Sequence, residues 1–247
     1  LWYFHLSTCD EAGNCTSTVH RGPYGIDTTA PTAPGTVSSS SHSATPVADA
    51  TIDVSWVAAT DALSGVLNYR YIFTTSATPP ACVSFPSPSF TTSATSSALA
   101  DGSWYAHVCA VDNAGNTGAV STGGPYVIDT AGPTGLLLAS PSHTVSTWDD
   151  DATIDVTLSG ATDSNGVTGY AIAFDQNATT DPGTTPTQAG TSYTGTATSD
   201  GNSWYAHARA CDQAGNCGPV VHLGPFWIDT TAPSAPAGVD SSSHSVG

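Results

Sequence analysis

The stretch WYAHVCAVDNAGNT (Trp104–Thr117) occurs three times in the chain, also as WYFHLSTCDEAGNC (Trp2–Cys15) and WYAHARACDQAGNC (Trp204–Cys217). The copies start 102 and 100 residues apart. Within each copy Trp104, Ala106, Val108 and Ala110 alternate with Tyr105, His107 and Cys109. That is the period of two expected of a strand with one face in a core. The strand ends in DNAGN, where Asp and Asn can bond their own backbone and Gly accepts positive φ, so a turn is expected. One ruler of about a hundred residues and one strand–turn signal thus predict a tandem array of β modules.

Other segments keep the same spacing. GPYGIDTTAP, GPYVIDTAGP and GPFWIDTTAP place Asp27, Asp129 and Asp229 in equivalent positions; ATIDVSW (50–56) pairs with ATIDVTL (152–158), and Asp61 with Asp163. His42, His143 and His244 form a further equivalent set. The expected organisation is the last strands of one repeat at 1–30, complete repeats at 31–130 and 131–231, and the first strand of a further repeat at 232–247. On this reading the natural polypeptide is longer at both ends, or neighbouring chains complete the partial units. Ile52, Val54 and Trp56 alternate with Thr51, Asp53 and Ser55. No segment of 3.6-residue period is long enough to predict a helix. Seven or so short strands per repeat, separated by Ser, Thr, Gly and Pro clusters, suit a two-sheet sandwich.

Composition narrows the function classes. Charged residues are 9% of the chain, with no Lys, no Met, one Glu, three Arg and nineteen Asp, giving a net charge of −17. Such a balance repels nucleic acid and anionic membranes and is compatible with a divalent cation. No apolar run approaches the ~20 residues a membrane-spanning helix needs, so membrane insertion within this chain is not expected. Six cysteines come and go in pairs: Cys9 and Cys15 flank DEAGN, Cys211 and Cys217 flank DQAGN, and the middle repeat has Val111 and Thr117 there but gains Cys82 and Cys109. Paired appearance predicts disulfides and an oxidising, extracellular compartment; a zinc site would want four ligands at fixed spacing. Without Lys, Lys-to-Asn isopeptide crosslinks cannot form here.

VDNAGN followed by IDTTAP, with ATD and a following SG in the first half, resembles the bacterial immunoglobulin-like and fibronectin type III-like repeats of large secreted and cell-surface proteins. The resemblance covers essentially the whole chain. It implies an all-β fold of tandem seven-stranded sandwiches arranged end to end, serving as stalk, adhesin or filament material, with neighbouring repeats or copies of the chain as partners. The cysteines, and DTAGP in place of DTTAP at the second junction, depart from the pattern.

In such a sandwich the loop between the second and third strands lies at the same end as the loop before the last strand, and the last strand runs to the opposite end. Asp27 is therefore expected beside Asp61, Asp112 and Asn116, and Asp129 beside Asp163, Asn165, Asp212 and Asn216. Several carboxylates and amide carbonyls together suit Ca²⁺, which takes six to eight oxygens in irregular geometry; some relatives in the resembled group hold Ca²⁺ at their junctions. Turn preference alone would also put Asp and Asn in these loops. His107 and His207 lie a repeat apart, so structural hydrogen bonding, or contacts between neighbouring chains, is the expectation for them. Trp104, Tyr105, Tyr126, Trp204, Tyr205, Phe226 and Trp227 are expected to pack core and sheet faces; a carbohydrate-stacking platform is the alternative. NCT at Asn14 and NAT at Asn177 match the glycan acceptor pattern, and a disulfide at Cys15 would hinder Asn14, which favours Asn177. There is no nucleophile elbow, no HExxH and no glycine-rich phosphate loop. The sequence therefore predicts a non-enzymatic extracellular structural polypeptide forming a stalk, fibre or sheath. The alternative is spacer or carbohydrate-binding modules of a large secreted enzyme or adhesin.

Overall fold

The computed structural model describes residues 1–238, which divide into two compact units, Leu1–Thr130 and residues 131 onward. In the first unit, β1 (Trp2–Leu6) and β2 (Val19–Tyr24) make an antiparallel hairpin. The remaining strands are β3 (Val37–Ser38), β4 (Asp53–Trp56), β5 (Val66–Thr74), β6 (Ser87–Ser89), β7 (Ser93–Thr95), β8 (Gly102–Asp112) and β9 (Ser121–Ile128). They form a three-stranded sheet β3-β4-β7 and a four-stranded sheet β6-β5-β8-β9. Val54 and Trp56 of the first sheet, with Ile52 just before β4, meet Tyr69, Ala106, Val108, Ala110, Tyr126 and Ile128 of the second in one core. The two sheets have alternating inward faces, and that alternation is why residues two apart share the core.

The second unit repeats the plan with β10 (Leu137–Ala139), β11 (Trp148–Asp149), β12 (Thr153–Ser159), β13 (Val167–Asp175), β14 (Ser192–Thr196), β15 (Gly201–Asp212) and β16 (Val221–Ile228). Its sheets are β10-β12-β14 and β11-β16-β15-β13. Ile154, Val156, Trp204, Phe226 and Ile228 pack one end of its core, and Leu136, Leu158, Tyr170, Ala208 and Ala210 the other. Beside the β1–β2 hairpin, the first unit, like the second, thus contains a seven-stranded all-β sandwich of two sheets, as the alternation and turn clusters predict, and of the fold that the resemblance implies. The fourth strand of the larger sheet differs: β6 pairs antiparallel with β5 in the first unit, and β11 pairs parallel with β16 in the second. Residues 231–238 carry no regular element, and the strand expected over 232–247 otherwise lies outside the described residues, as does His244.

The copied GP and WY motifs are two halves of one device. Opposite the Trp, the hairpin register slips between Trp104 and Ala106 and again between Trp204 and Ala206, the signature of a β-bulge. Gly124 and Gly224, each followed by a cis peptide to Pro, sit there at φ +117° and +148°. A Cβ on either glycine would stand 2.8 or 2.6 Å from the Trp104 or Trp204 carbonyl oxygen, so only glycine fits.

Alternation alone leaves Tyr105, His107 and Cys109 facing solvent, yet His107 and Cys109 are fully buried. The segment between β5 and β6 folds over the outer face of the sheet. There Cys82, on a one-turn 3₁₀ helix (Cys82–Ser84), bonds Cys109, and Phe85 packs beside them. The other disulfides, Cys9–Cys15 and Cys211–Cys217, close the turns after the WY strand. All six cysteines are paired, as expected. In the hairpin β1–β2, by contrast, Trp2, Phe4 and Leu6 are exposed.

Candidate functional site

Three loops of the first unit bring Asp27, Asp61 and Asp112 together, each offering a carboxylate oxygen within 4.8 Å of the others. Each carboxylate is first a turn-former. Asp61 Oδ1 accepts the backbone N–H of Leu63, Ser64 and Gly65 at 3.1, 2.9 and 2.8 Å, which is what fixes the ATD…SG loop. Asp112, fully buried, accepts the N–H of Ala114 and Asn116 on Oδ1 at 2.9 and 2.8 Å and the Asn116 amide on Oδ2 at 2.7 Å. Asp27 arrives from the segment after β2; its Oδ1 accepts the Thr29 N–H at 2.9 Å and its Oδ2 the Ser64 N–H at 3.1 Å. Hydrogen bonding from Ser64 and then Thr29 holds the Asp27 carboxyl below the usual carboxylate range, because donors favour the charged form. Asn116 is the tie: its Nδ2 also donates to the Asp27 carbonyl at 3.2 Å and the Thr29 carbonyl at 3.4 Å. The expected meeting of Asp27 with Asp61, Asp112 and Asn116 is therefore present in this unit, with Asn116 positioning Asp112 through its amide N–H.

In the second unit the same turns form. Asp163 Oδ1 accepts the Asn165 N–H at 2.7 Å. Asp212 accepts the Asn216 N–H at 2.8 Å and its side-chain amide at 2.9 Å, while Asn216 Nδ2 also reaches the Ala131 carbonyl at 3.5 Å. Asp129 belongs to the first unit, where its N–H donates to the Val47 carbonyl at 3.0 Å. Carboxylate oxygens are hard ligands, and Asp27, Asp61 and Asp112 are the residues of this unit placed closely enough to hold a divalent cation together.

The sequence reading missed a second constellation. His5 faces His20 across β1–β2, and His207 faces His222 across β15–β16, in the same register. Their Nδ1 atoms lie 2.5 and 2.6 Å apart. Behind the buried His207, the Asp175 carboxylate stands 3.3 Å from Nε2. Burial pushes the His207 imidazole below its ordinary value, with the Asp175 charge opposing. In the middle repeat the partner across the hairpin is Thr122, and Thr74 replaces Asp175. There His107 is satisfied by Thr122 Oγ1 at 2.8 Å on Nδ1, and by Thr74 Oγ1 and the Ser76 carbonyl at 3.0 Å on Nε2. The available signal was the constant spacing of 15 residues from His5 to His20 and from His207 to His222, which a hairpin folds into contact.

The other histidines among the described residues brace loops: His42 and His143 hold the Asp49 and Asp151 carbonyls at 2.9 and 2.8 Å through Nε2. Asn177 is exposed, and its Oδ1 accepts both the N–H and the hydroxyl of Thr179 at 3.2 Å. Asn14 donates to Asp10 at 2.9 Å and precedes the disulfide-bonded Cys15. Tyr126, Trp204 and Phe226 are core residues, whereas Trp227 is partly buried against the exposed Trp148, ring centres 5.5 Å apart.

No protein-family model matches the chain, and no curated protein matches it in sequence. Among solved structures it is similar to the fibronectin(III)-like modules of Clostridium thermocellum CbhA, at 15% identity and TM-score 0.42, over 83% of this chain and 100% of that one. It is also similar to the FN1–FN3 domains of chicken CNTN1, at 15% identity and TM-score 0.34, over 83% of this chain and 69% of that one. Both likenesses are likenesses of fold.

Proposed function

We propose that the chain is structural or spacer material of an extracellular protein, its repeats serving as load-bearing links of a stalk, fibre or sheath. What supports this reading is that each seven-stranded unit has its own core and that every cysteine is spent on a crosslink within a repeat. Disulfides persist in oxidising compartments, and a core of ~100 residues suffices for independent stability. Chemistry is not assigned to the chain. Pulling a single molecule should give one force peak per sandwich. Because Cys82 and Cys109 are 27 residues apart, reductant should lengthen the first unit's extension by about 90 Å, at ~3.3–3.6 Å per residue. A single featureless extension would sink the load-bearing reading.

Calcium at Asp27, Asp61 and Asp112 is part of the proposal. It would neutralise three converging carboxylates and stiffen the loops they fix. Calcium at a hundred times its dissociation constant would stabilise the folded unit by about 2.7 kcal/mol, so EGTA should lower the melting temperature and D61A should abolish that response. An identical melting temperature with and without EGTA would leave these residues as turn-formers only. Asn177 is proposed as the glycan acceptor; a mass increment lost in N177Q, after expression in a glycosylating host, checks it.

A second reading, glycan binding as a module of a secreted enzyme or adhesin, is favoured by one observation. Trp148 with Asp149, Asp150 and Asp229 lines a concavity of about 410 Å³ in the second unit, and Trp148 is half exposed beside Trp227. An aromatic face with carboxylates at its rim is the usual equipment for stacking a sugar and holding its hydroxyls. Glycan-array binding lost in W148A would support it; an array without hits would remove it.

A further inference from the structure

We propose that the cross-strand pair His207–His222, and its counterpart His5–His20, binds a divalent late transition metal ion, Cu²⁺ or Zn²⁺, through the two Nδ1 atoms, with solvent completing the coordination. At 2.6 and 2.5 Å between Nδ1 atoms, only one ring of each pair can carry the proton there. The other presents a bare lone pair at its neighbour. In the second unit the Asp175 carboxylate stands 3.3 Å from His207 Nε2, and its negative charge favours the tautomer with the proton on that atom and a bare His207 Nδ1. A carboxylate behind the far nitrogen of an imidazole is the arrangement that fixes the tautomer and raises basicity in metal-ligating histidines.

Binding balances without loss of a proton. His222 is exposed, so solvent can take its Nδ1 proton and return one to Nε2, and two neutral imidazoles then face the ion. With metal–nitrogen bonds of ~2.0–2.1 Å, the two nitrogens must sit about 2.9–3.4 Å apart. Small ring rotations supply the few tenths of an ångström required. The frame is otherwise stiff: His207 is fully buried in the paired strands of its sheet and stacks on Tyr205 at 6.1 Å between ring centres.

The middle repeat argues that the fold itself does not demand this pair. There Thr122 and Thr74 stand at the two positions, and His107 is satisfied by hydrogen bonds alone. His222 and Asp175 therefore add something beyond packing, and they occur together in one unit. Imidazole nitrogen suits Cu²⁺ and Zn²⁺ and is a poor ligand for Ca²⁺, so this site is separate from the carboxylate cluster and does not depend on it.

Calorimetric titration of the full chain with CuCl₂ and with ZnCl₂, in a buffer containing excess calcium to occupy carboxylates, tests the proposal. The expected stoichiometry is two ions per chain, one for each pair. H20T and H222T, which install the residue type found at Thr122, should each remove one ion, and the double variant both. D175N should weaken only the His207–His222 site, by about 10–100-fold in dissociation constant. The Cu²⁺ spectrum should show nitrogen coupling that disappears in the double variant. No binding in the calcium buffer, or a double variant that takes up as much metal as the parent, would overturn the assignment. Unchanged affinity in D175N would overturn the part given to the carboxylate.

Discussion

The two complete sandwiches share a core plan and differ on the outer face of the larger sheet. In the first unit that face is closed by a crosslink between distant segments, Cys82–Cys109, and by His107 bonded to Thr74, Ser76 and Thr122. In the second it carries Arg209 paired with Asp181 at 3.4 Å, the His207–His222 pair and Asp175, while its disulfide only closes the adjacent turn. A buried polar residue on a sheet face can be satisfied by neutral hydroxyls or by charged and titratable partners. Each unit has taken one solution, so the repeats share a core plan and differ in the chemistry of that face.

The largest expected difference lies in the disulfides. By loop entropy a crosslink spanning 27 residues stabilises by about 3.5 kcal/mol, and one spanning 6 by about 2 kcal/mol. Denaturant titration of C82A/C109A and C211A/C217A should show the first unit losing more than the second. Equal losses would mean that the segment over the first sheet holds without its crosslink.

Next come the turn aspartates. Asp112 accepts three hydrogen bonds from Ala114 and Asn116, and Asp212 two from Asn216. Alanine at either position removes hydrogen bonds worth about 0.5–1.5 kcal/mol each, with D112A the more severe by roughly one bond, about 1 kcal/mol. Thermal melts of both variants measure this; a more severe D212A would reverse the ranking.

The smallest effect is one of pH. Burial pushes the His107 imidazole below its ordinary value, so the unfolded chain, titrating near ~6.5, binds a proton that the folded unit refuses. Stability is complete above that value and declines as pH falls from about 6.5 towards the lowered folded value. Denaturation midpoints of the first unit at several pH values in EDTA should trace that decline. A flat profile would show that the hydroxyl-lined pocket accepts a charged imidazole.

Much of this was legible in the chain. The alternation of Trp104, Ala106, Val108 and Ala110 placed the core strand, and the DNAGN turn and the copied Asp27 led to the carboxylate cluster, because local turn chemistry and strand period are set by neighbouring residues. The pairing of cysteines followed from their appearing together in the repeats. His20 and His222 were not legible, since their meaning depends on hairpin register, and the bulge at Gly124 and Gly224 shifts that register by a residue.

By itself the sequence determined the module, its period and its core-facing residues, because burial of alternate apolar side chains is the dominant driving force and leaves a periodic trace. Only tertiary structure decided what covers the outer sheet face and which polar residues meet there. Those contacts join segments such as Cys82 with Cys109 and Asp175 with His207, whose separation along the chain obeys no period.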